Sequence, residues 1–280
     1  DDKVALLNSR KRLYSNIHSM DDAVGYFYGA LTPNTSYIHL FDIRRYYNGF
    51  YIALPLRSDP SKFDLNVHLD KMFDVFREYS MWVNIMGVPT VGHLNEKVLA
   101  GDASELIKVA EAFHENKIAQ MAHQIEQANI EQGTRVVLIS GPSSSGKTTT
   151  AKRLGVHLHL LGLNPVLISL DDYFVDRELT PLDEHGEYDF ESLYAVDLPF
   201  FNEQLGALLC GEEVQLTKFD FTTGRRLLTD RRLRIDEHTV LVIEGIHALN
   251  PELTCHISEA DKYKVYVSAL TSIMLDDHNY

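Results

Sequence analysis

The stretch Gly141-Pro142-Ser143-Ser144-Ser145-Gly146-Lys147-Thr148 matches the phosphate-binding loop pattern G-x-x-x-x-G-K-[ST] at every fixed position. The apolar run 135–140 precedes it, and a helical pattern covers 147–162. This order of strand, loop and helix is the context in which the pattern binds phosphate rather than occurring by chance.

The chemistry of this loop follows from its residue types. Gly141 and Gly146 let the backbone turn so that successive N–H groups point inward at phosphate oxygens, and the following helix adds the positive end of its dipole. We expect Lys147 to bridge the β- and γ-phosphates and the Thr148 hydroxyl to coordinate Mg²⁺. The loop, extended to Thr149, therefore predicts binding of ATP with Mg²⁺.

Short apolar runs alternate with helical patterns after residue 133. Strands are expected at 135–140, 165–170, 240–243 and 263–267. Continuous apolar strands between helices are typical of a mostly parallel sheet covered on both faces, so the predicted class is α/β. We expect a domain of this kind at 134–280.

The region before residue 133 follows a different pattern, and a smaller α+β domain is expected at 1–100. A β-hairpin is predicted over 36–55 around Asn48-Gly49, and a helix over 67–86. A connecting helix is predicted within 101–133, where an apolar stripe from Ile107 to Ala128 should pack on the following domain.

Composition excludes several classes of protein. The 280 residues are 45% hydrophobic, no stretch has the roughly 18 apolar residues of a membrane span, and the formal net charge of −14 disfavours nucleic acid as a partner. Cys210 and Cys255 do not make a disulfide framework, so a cytoplasmic location is expected. The basic cluster within 225–234 is interpreted as a solvated hairpin or helix face rather than an RNA site. Homo-oligomerisation is left open.

Carboxylates follow two of the predicted strands. Asp171-Asp172 end the second strand and Glu244 ends the third, at the sheet edge where ligands of such folds bind. Phosphoryl transfer to an alcohol needs a carboxylate to orient the hydroxyl and accept its proton, and Glu244 could hold Mg²⁺ through water. The alternatives are that Asp171 or Asp172 caps the next turn and that Glu244 faces solvent.

Five segments together resemble the uridine kinase and phosphoribulokinase family. They are GPSSSGKTTTAKRL at 141–154, ISLDDYFVDRELTP at 168–181, GEYDFESLYAVD at 186–197, LTKFDF at 216–221 and VLVIEGIHALNP at 240–251. The resemblance implies an ATP-dependent kinase with a small-molecule acceptor, in which Asp171 and Lys147 are catalytic and Thr148 and Glu244 bind the metal. It also implies acceptor contacts from Tyr173, Phe174, Tyr188, Asp189, Phe219 and Phe221, with Asp189 on ribose hydroxyls.

The resemblance also leaves the acceptor open. Animal uridine-cytidine kinases carry a Tyr where this chain has Phe219, and a His that reads the pyrimidine aligns near Gly224. A nucleoside 5′-hydroxyl is the first expectation. Another sugar, phosphosugar or small alcohol is the alternative, with Arg225 and Arg226 as candidate phosphate partners. A nucleotide-sensing or RNA-associated adaptor without catalysis is the alternative from another class.

Two further expectations concern the ends of the chain. Members of the family continue into an arginine-rich lid helix, which 268–279 would approach, so the lid and C-terminus are expected to be missing from this sequence. The segment YFYGALTPNTSYIHLFDIRRYYNGFYIALP at 26–55 is similar to part of a threonyl-tRNA-synthetase-like module that precedes the kinase in bacterial two-part proteins. No catalytic role is expected for that half.

Overall fold

The computed structural model describes residues 2–9, 14, 16–25, 27, 29–63, 68–268 and 273–276. The chain divides into two compact units. The first unit is Asp1–Leu106 with Ser272–Tyr280, and the second unit is Ile107–Thr271. The division falls inside the predicted connecting helix. Part of the predicted approach to a lid, at 269–272 and 277–279, lies outside the described residues.

The first unit contains two small hairpins and short helices. The hairpin β3–β4 pairs Tyr46 with Gly49, so its turn is Tyr47-Asn48, one residue earlier than predicted. The predicted hairpin was to begin at residue 36, but its first strand begins at Asp42. Asn34 accepts a hydrogen bond from the Ser36 amide and starts a 3₁₀ turn at Thr35–Tyr37 instead. The described elements are α1 Asp2–Asn8, β1 His18–Met20, β2 Ala23–Gly25, β3 Asp42–Tyr46, β4 Gly49–Ala53, α2 Asp70–Ile85 and α3 Val91–Ala100.

The second unit is built on a parallel sheet of four strands in the order β10-β5-β9-β6. All four predicted strands are present, which confirms the α/β class. A helix and an antiparallel hairpin, β7–β8, lie between the second and third strands. The helix was not predicted, and the hairpin was only one of two interpretations of the basic cluster within 225–234. The elements are α4 Ala103–Gln132, β5 Val136–Ser140, α5 Lys147–Leu160, β6 Asn164–Ser169, α6 Leu198–Leu209, β7 Val214–Asp220, β8 Arg225–Leu233, β9 Thr239–Glu244 and β10 Lys262–Tyr266.

Core side chains cover both faces of this sheet because successive residues of a strand point in opposite directions. Val137 and Ile139 of β5 pack with α4 and α5, whereas Val136 and Leu138 pack with α6 and the β7–β8 hairpin. The middle of the α4 stripe is buried as predicted, at Ile118, Ala122 and Ile125. The start of the stripe is not, since Ile107 is 56% exposed.

The fold places the ends of neighbouring strands together. Ser169 of β6 lies opposite Glu244 of β9, and Ile139 of β5 lies opposite the same Glu244. The segments after these strands therefore meet at one sheet edge. Among the described residues, no helix combines the length and apolar character needed to cross a membrane.

Candidate active site

The loop between β5 and α5 turns tightly against the end of β10. A Cβ on Gly141 would lie 2.0 Å from the carbonyl oxygen of Val267, so only glycine fits there. Ser144 and Gly146 have φ angles of 58° and 90°, in the left-handed region, and these angles reverse the chain before α5 begins. Lys147 Nζ donates to the carbonyl oxygen of Pro142 at 2.9 Å, which holds the ammonium group over the loop.

One polar atom of this loop fits a bound phosphate. The Ser145 hydroxyl oxygen is buried and has no hydrogen-bond partner among the described residues. A buried donor without an acceptor costs free energy, and a phosphate oxygen in the loop would supply one. With the inward backbone and the Lys147 ammonium, the donor set of the loop suits a polyphosphate.

A hydroxyl and a carboxylate form the predicted metal-binding pair. Thr148 Oγ1 donates to Glu244 Oε1 at 2.9 Å, and Glu244 is only 7% exposed. Both are hard oxygen ligands of the kind Mg²⁺ takes together with phosphates and waters. Within the described parts of the chain, no group of three or more His, Cys, Asp or Glu side chains could hold a metal by itself.

Asp171 approaches Glu244 because Gly245 has no side chain. A Cβ on Gly245 would lie 2.7 Å from Leu170 Cβ, so glycine lets the 3₁₀ turn Leu170–Tyr173 pack against the end of β9. Partial burial, followed by the charge of Glu244, raises the pKa of the Asp171 carboxyl, while Lys147 acts in the opposite direction. Asp171, Glu244 and Lys147 therefore lie within electrostatic range of one another.

The neighbouring Asp172 faces the hairpin. Its Oδ1 accepts from the Phe219 amide at 3.3 Å, and its carbonyl oxygen accepts from Thr217 Oγ1 at 2.9 Å. Burial raises the pKa of the Asp172 carboxyl, and the Phe219 amide partly offsets this. Asp172 thus joins the turn to β7, and Asp171 is the member of the pair directed at the phosphate loop.

Tyr173 belongs to the core rather than to an open surface. It is 2% exposed, its hydroxyl donates to Gln204 Oε1 at 3.0 Å, and its ring meets Phe201 edge to face. Burial raises the pKa of Tyr173 to about 12. We assign Tyr173 to packing of the sheet against α6, so its predicted acceptor contact gains no support from this position.

The remaining predicted aromatic residues form a connected cluster, the aromatic wall. Phe174 contacts Phe219 at 5.6 Å and Phe221 at 6.3 Å between ring centroids. Phe174 and Phe219 are buried, whereas Phe221 is 57% exposed. The wall comprises Phe174, Tyr188, Phe190, Phe219 and Phe221.

Sequence reasoning missed Phe190, which contacts both Tyr188 and Phe174. Its position two residues after Tyr188 is the signal that could have found it, because alternate residues of an extended segment share a face. Asp189 lies between them, and its Oδ1 accepts from the Glu191 amide at 3.0 Å. That contact shapes the loop and leaves the predicted ribose role untested.

Most of the basic cluster within 225–234 lies on β8, so of the two interpretations, hairpin or helix face, the hairpin is the one observed. Arg226 of β8 donates to Asp197 Oδ2 at 2.8 Å, and its guanidinium lies 4.4 Å from the ring centroid of Phe200. Its amide donates to Asp176 Oδ1 at 2.9 Å. Arg226 is therefore held by the protein itself, which makes it a poor candidate for a substrate phosphate.

A phosphate-binding loop between a buried strand and a helix, with carboxylates at the ends of β9 and β6, defines the P-loop class of nucleotide-binding proteins. The chain belongs to the Phosphoribulokinase / Uridine kinase family, whose model matches residues 136–277. The matched range lies within the domain that the sequence predicted at 134–280.

Curated relatives carry the name uridine kinase. The protein from Limosilactobacillus reuteri is 29% identical over 141 residues, 50% of this chain and 62% of that protein. The protein from Deinococcus deserti is 30% identical over 135 residues, 48% of this chain and 61% of that protein. The chain thus spans less than two thirds of the length of these relatives.

One solved structure that resembles the chain is described as a possible uridine kinase from Bacillus stearothermophilus. It is 25% identical, with a TM-score of 0.44, and the match covers 54% of this chain and 79% of that one.

Proposed function

We propose that this protein transfers the γ-phosphate of ATP to a hydroxyl of a small molecule, most simply the 5′-hydroxyl of a nucleoside. The observation that carries the proposal is the meeting of Asp171, Lys147 and the Thr148–Glu244 pair at one sheet edge. Phosphoryl transfer is mostly positioning and charge stabilisation, and this set contains the groups for both.

Each side chain has a defined part in the proposed reaction. Asp171 orients the acceptor hydroxyl and accepts its proton as the oxygen bonds to the γ-phosphorus, and the bond to the β-phosphate oxygen breaks. Its raised pKa makes it a better proton acceptor than an ordinary aspartate. Lys147 stabilises charge on the transferring group. Mg²⁺, held through Thr148 and Glu244, would neutralise phosphate charge.

A nucleoside suits the acceptor side better than a phosphosugar. The exposed rings of Tyr188 and Phe221 offer planar apolar surfaces on which a base can stack. Arg226, one of two candidate partners for a sugar phosphate, is bound to Asp197. The relatives named uridine kinase support the same choice. Asp189 would bind the ribose hydroxyls, as the family resemblance implies.

Release of ADP in the presence of Mg-ATP tests the proposal. The acceptor panel contains uridine, cytidine, purine nucleosides, ribulose 5-phosphate, glycerate and pantothenate, with Lys147→Ala as the inactive control. We expect a nucleoside to stimulate ADP release. Stimulation by ribulose 5-phosphate alone would move the acceptor to a phosphosugar, and no stimulation with ATP bound would oppose the kinase assignment.

The role of the first unit stays a prediction. The likeness of 26–55 to a threonyl-tRNA-synthetase-like module, the domain limits of 1–100 and 134–280, and the arginine-rich lid rest on the sequence alone. Limited proteolysis followed by activity measurement on the fragments would test whether the second unit works without the first.

A further inference from the structure

A cleft of about 570 Å³ lies between α4 and α5, beside the phosphate loop. Thr149 and Arg153 line it from α5, and Glu115 and Ile118 line it from α4. Small-molecule sites have volumes of roughly 300–1,000 Å³, so the cleft has room for a nucleoside. None of the candidate active-site residues other than Thr149 reaches it.

The cleft lies next to the phosphate loop and is lined by a different residue from the one that contacts Glu244. Thr148 bonds to Glu244, whereas the next residue, Thr149, lines the cleft. Arg153 is four residues further on, and side chains at this spacing share one face of a helix. A nucleotide whose terminal phosphate lies near Asp171 has to leave the loop at its other end, and this cleft opens beside the first turn of α5.

Two polar side chains of the lining, Glu115 and Arg153, form an ion pair across the two helices. Glu115 Oε2 accepts from Arg153 Nη1 at 3.0 Å, and Glu115 Oε1 accepts from His157 Nε2 at 2.7 Å. The hydrogen bond from His157 lowers the pKa of the Glu115 carboxyl, so the carboxylate stays charged. A guanidinium oriented in this way can stack on a planar base and donate its remaining N–H groups.

The apolar lining completes a surface for a base. Ile118 is 4% exposed and packs in the core beneath the cleft, so it forms a rigid floor. Ala112 lies one and a half turns earlier on α4 and also lines the cleft, where its small side chain leaves space. The rest of the lining is polar and includes Lys108, Glu111 and His114 of α4 and Thr150 of α5. The cleft thus combines a small apolar floor with surrounding polar groups, a mixture that small-molecule sites use to hold and orient a ligand.

We propose that this cleft receives the base and ribose of the phosphate donor, with Arg153 as a binding residue that Glu115 positions. The inference rests on the proposed phosphotransfer function. Its consequence is specific to this chain. The lining part of α4 precedes residues 136–277, which the family model matches, so a helix outside the family segment sets donor preference.

Filling the cleft tests the proposal directly. Ala112→Trp places a large side chain in it, and Asn116→Trp is the matched control at an exposed position of the same helix outside the cleft lining. Calorimetry would give dissociation constants for Mg-ATP and for Mg-tripolyphosphate, which has no nucleoside. We expect Ala112→Trp to weaken Mg-ATP binding by about tenfold or more and to change tripolyphosphate binding by less than about twofold.

Other outcomes would overturn the proposal. If Ala112→Trp leaves ATP affinity unchanged, or weakens ATP and tripolyphosphate binding equally, the nucleoside does not bind in the cleft. The same loss of ATP affinity in Asn116→Trp would show a general disturbance of α4. If the wild type binds tripolyphosphate and not ATP, the proposed function fails with the cleft. If Ala112→Trp has normal ATP-dependent turnover and unchanged ATP affinity, the cleft proposal is rejected and the proposed kinase function is kept.

The positioning role of Glu115 has its own test. Glu115→Gln should release Arg153 and weaken Mg-ATP binding by about threefold to tenfold, with tripolyphosphate unaffected, whereas Glu115→Asp should recover part of the loss. A purely structural contact would instead lower the unfolding midpoint and leave the ratio of the two dissociation constants at its wild-type value. That second result would overturn the assigned role.

Discussion

The two sides of the candidate active site are built in different ways. The phosphate side comes from one contiguous stretch, 141–149, whose Thr148 bonds to the distant Glu244. The acceptor side is assembled from segments near 171, 188 and 219 that meet only in the folded chain. Phosphate recognition here depends on backbone direction and is encoded locally, whereas acceptor recognition depends on tertiary packing.

The same contrast applies to what each side chain does for stability. Lys147 and Thr148 contact the loop and Glu244 and contribute nothing to the apolar core. Phe174 and Phe219 belong to the core cluster and to the aromatic wall at once. Substitutions on the phosphate side should therefore change chemistry alone, and those on the acceptor side should change stability as well.

The largest effect is expected for Lys147→Ala. Loss of the ammonium removes the cation nearest the transferring phosphate, and turnover should fall by about 10³-fold or more, with the unfolding midpoint nearly unchanged. Lys152→Ala is the control, because Lys152 is an exposed lysine on the same helix. Steady-state ADP release measures both. If ADP release fell equally in Lys147→Ala and Lys152→Ala, Lys147 would have no specific role at the site.

Asp171→Asn should come next, with normal ATP affinity and a transfer rate lower by about 10²- to 10⁴-fold. Asp172→Asn separates the two neighbours, since an amide oxygen at 172 still accepts from the Phe219 amide. It should keep most of the activity. Single-turnover transfer, with ATP binding measured in parallel, compares the two variants. If Asp172→Asn were the inactive variant, the acceptor carboxylate would be Asp172 and not Asp171.

The sequence was sufficient for the sheet and the phosphate loop. Runs such as 240–243 are apolar throughout because the strand is buried on both faces, and the glycines of the loop mark turns that other residues cannot make. These signals are local, so they can be read without the fold.

The acceptor side could not be worked out in the same way. The β7–β8 hairpin could not be distinguished from a helix, because β8 carries charged residues on most positions and has no apolar alternation. Tyr173 was predicted to contact the acceptor, as Phe174 was, yet the 3₁₀ turn directs Tyr173 against α6. Phe190 was missed although it follows Tyr188 by two residues, because that spacing indicates a shared face and not the contact with Phe174. Only tertiary contacts decide these positions.

A pair of phenylalanines sharpens the contrast on the acceptor side. Phe221→Ala removes an exposed ring and should raise the acceptor KM several-fold, with little change in the free energy of unfolding. Phe219→Ala removes a ring that is 2% exposed and should lower the free energy of unfolding by about 3–5 kcal/mol. Chemical denaturation and acceptor titrations measure the two quantities. Equal destabilisation would show that Phe221 belongs to the core.

The smallest effect concerns pH and stability at Asp171. Its pKa is higher in the folded chain than in an unfolded one, because partial burial and Glu244 oppose its charge. The folded state therefore binds the proton more tightly, and the contribution of Asp171 to stability falls as pH rises from the unfolded towards the folded pKa. Above the folded pKa, the ionised Asp171 carboxylate lowers the free energy of unfolding by its full amount.

Asp171→Asn removes this penalty, so the variant should be slightly more stable than the wild type near pH 7 while being inactive. The difference should shrink as the pH falls towards the range in which the carboxyl is protonated in both states. Urea denaturation of both proteins across about pH 4 to 8 measures it. A variant less stable than the wild type at neutral pH would mean that Asp171 makes a stabilising contact, and the carboxylate would then serve the fold rather than the acceptor.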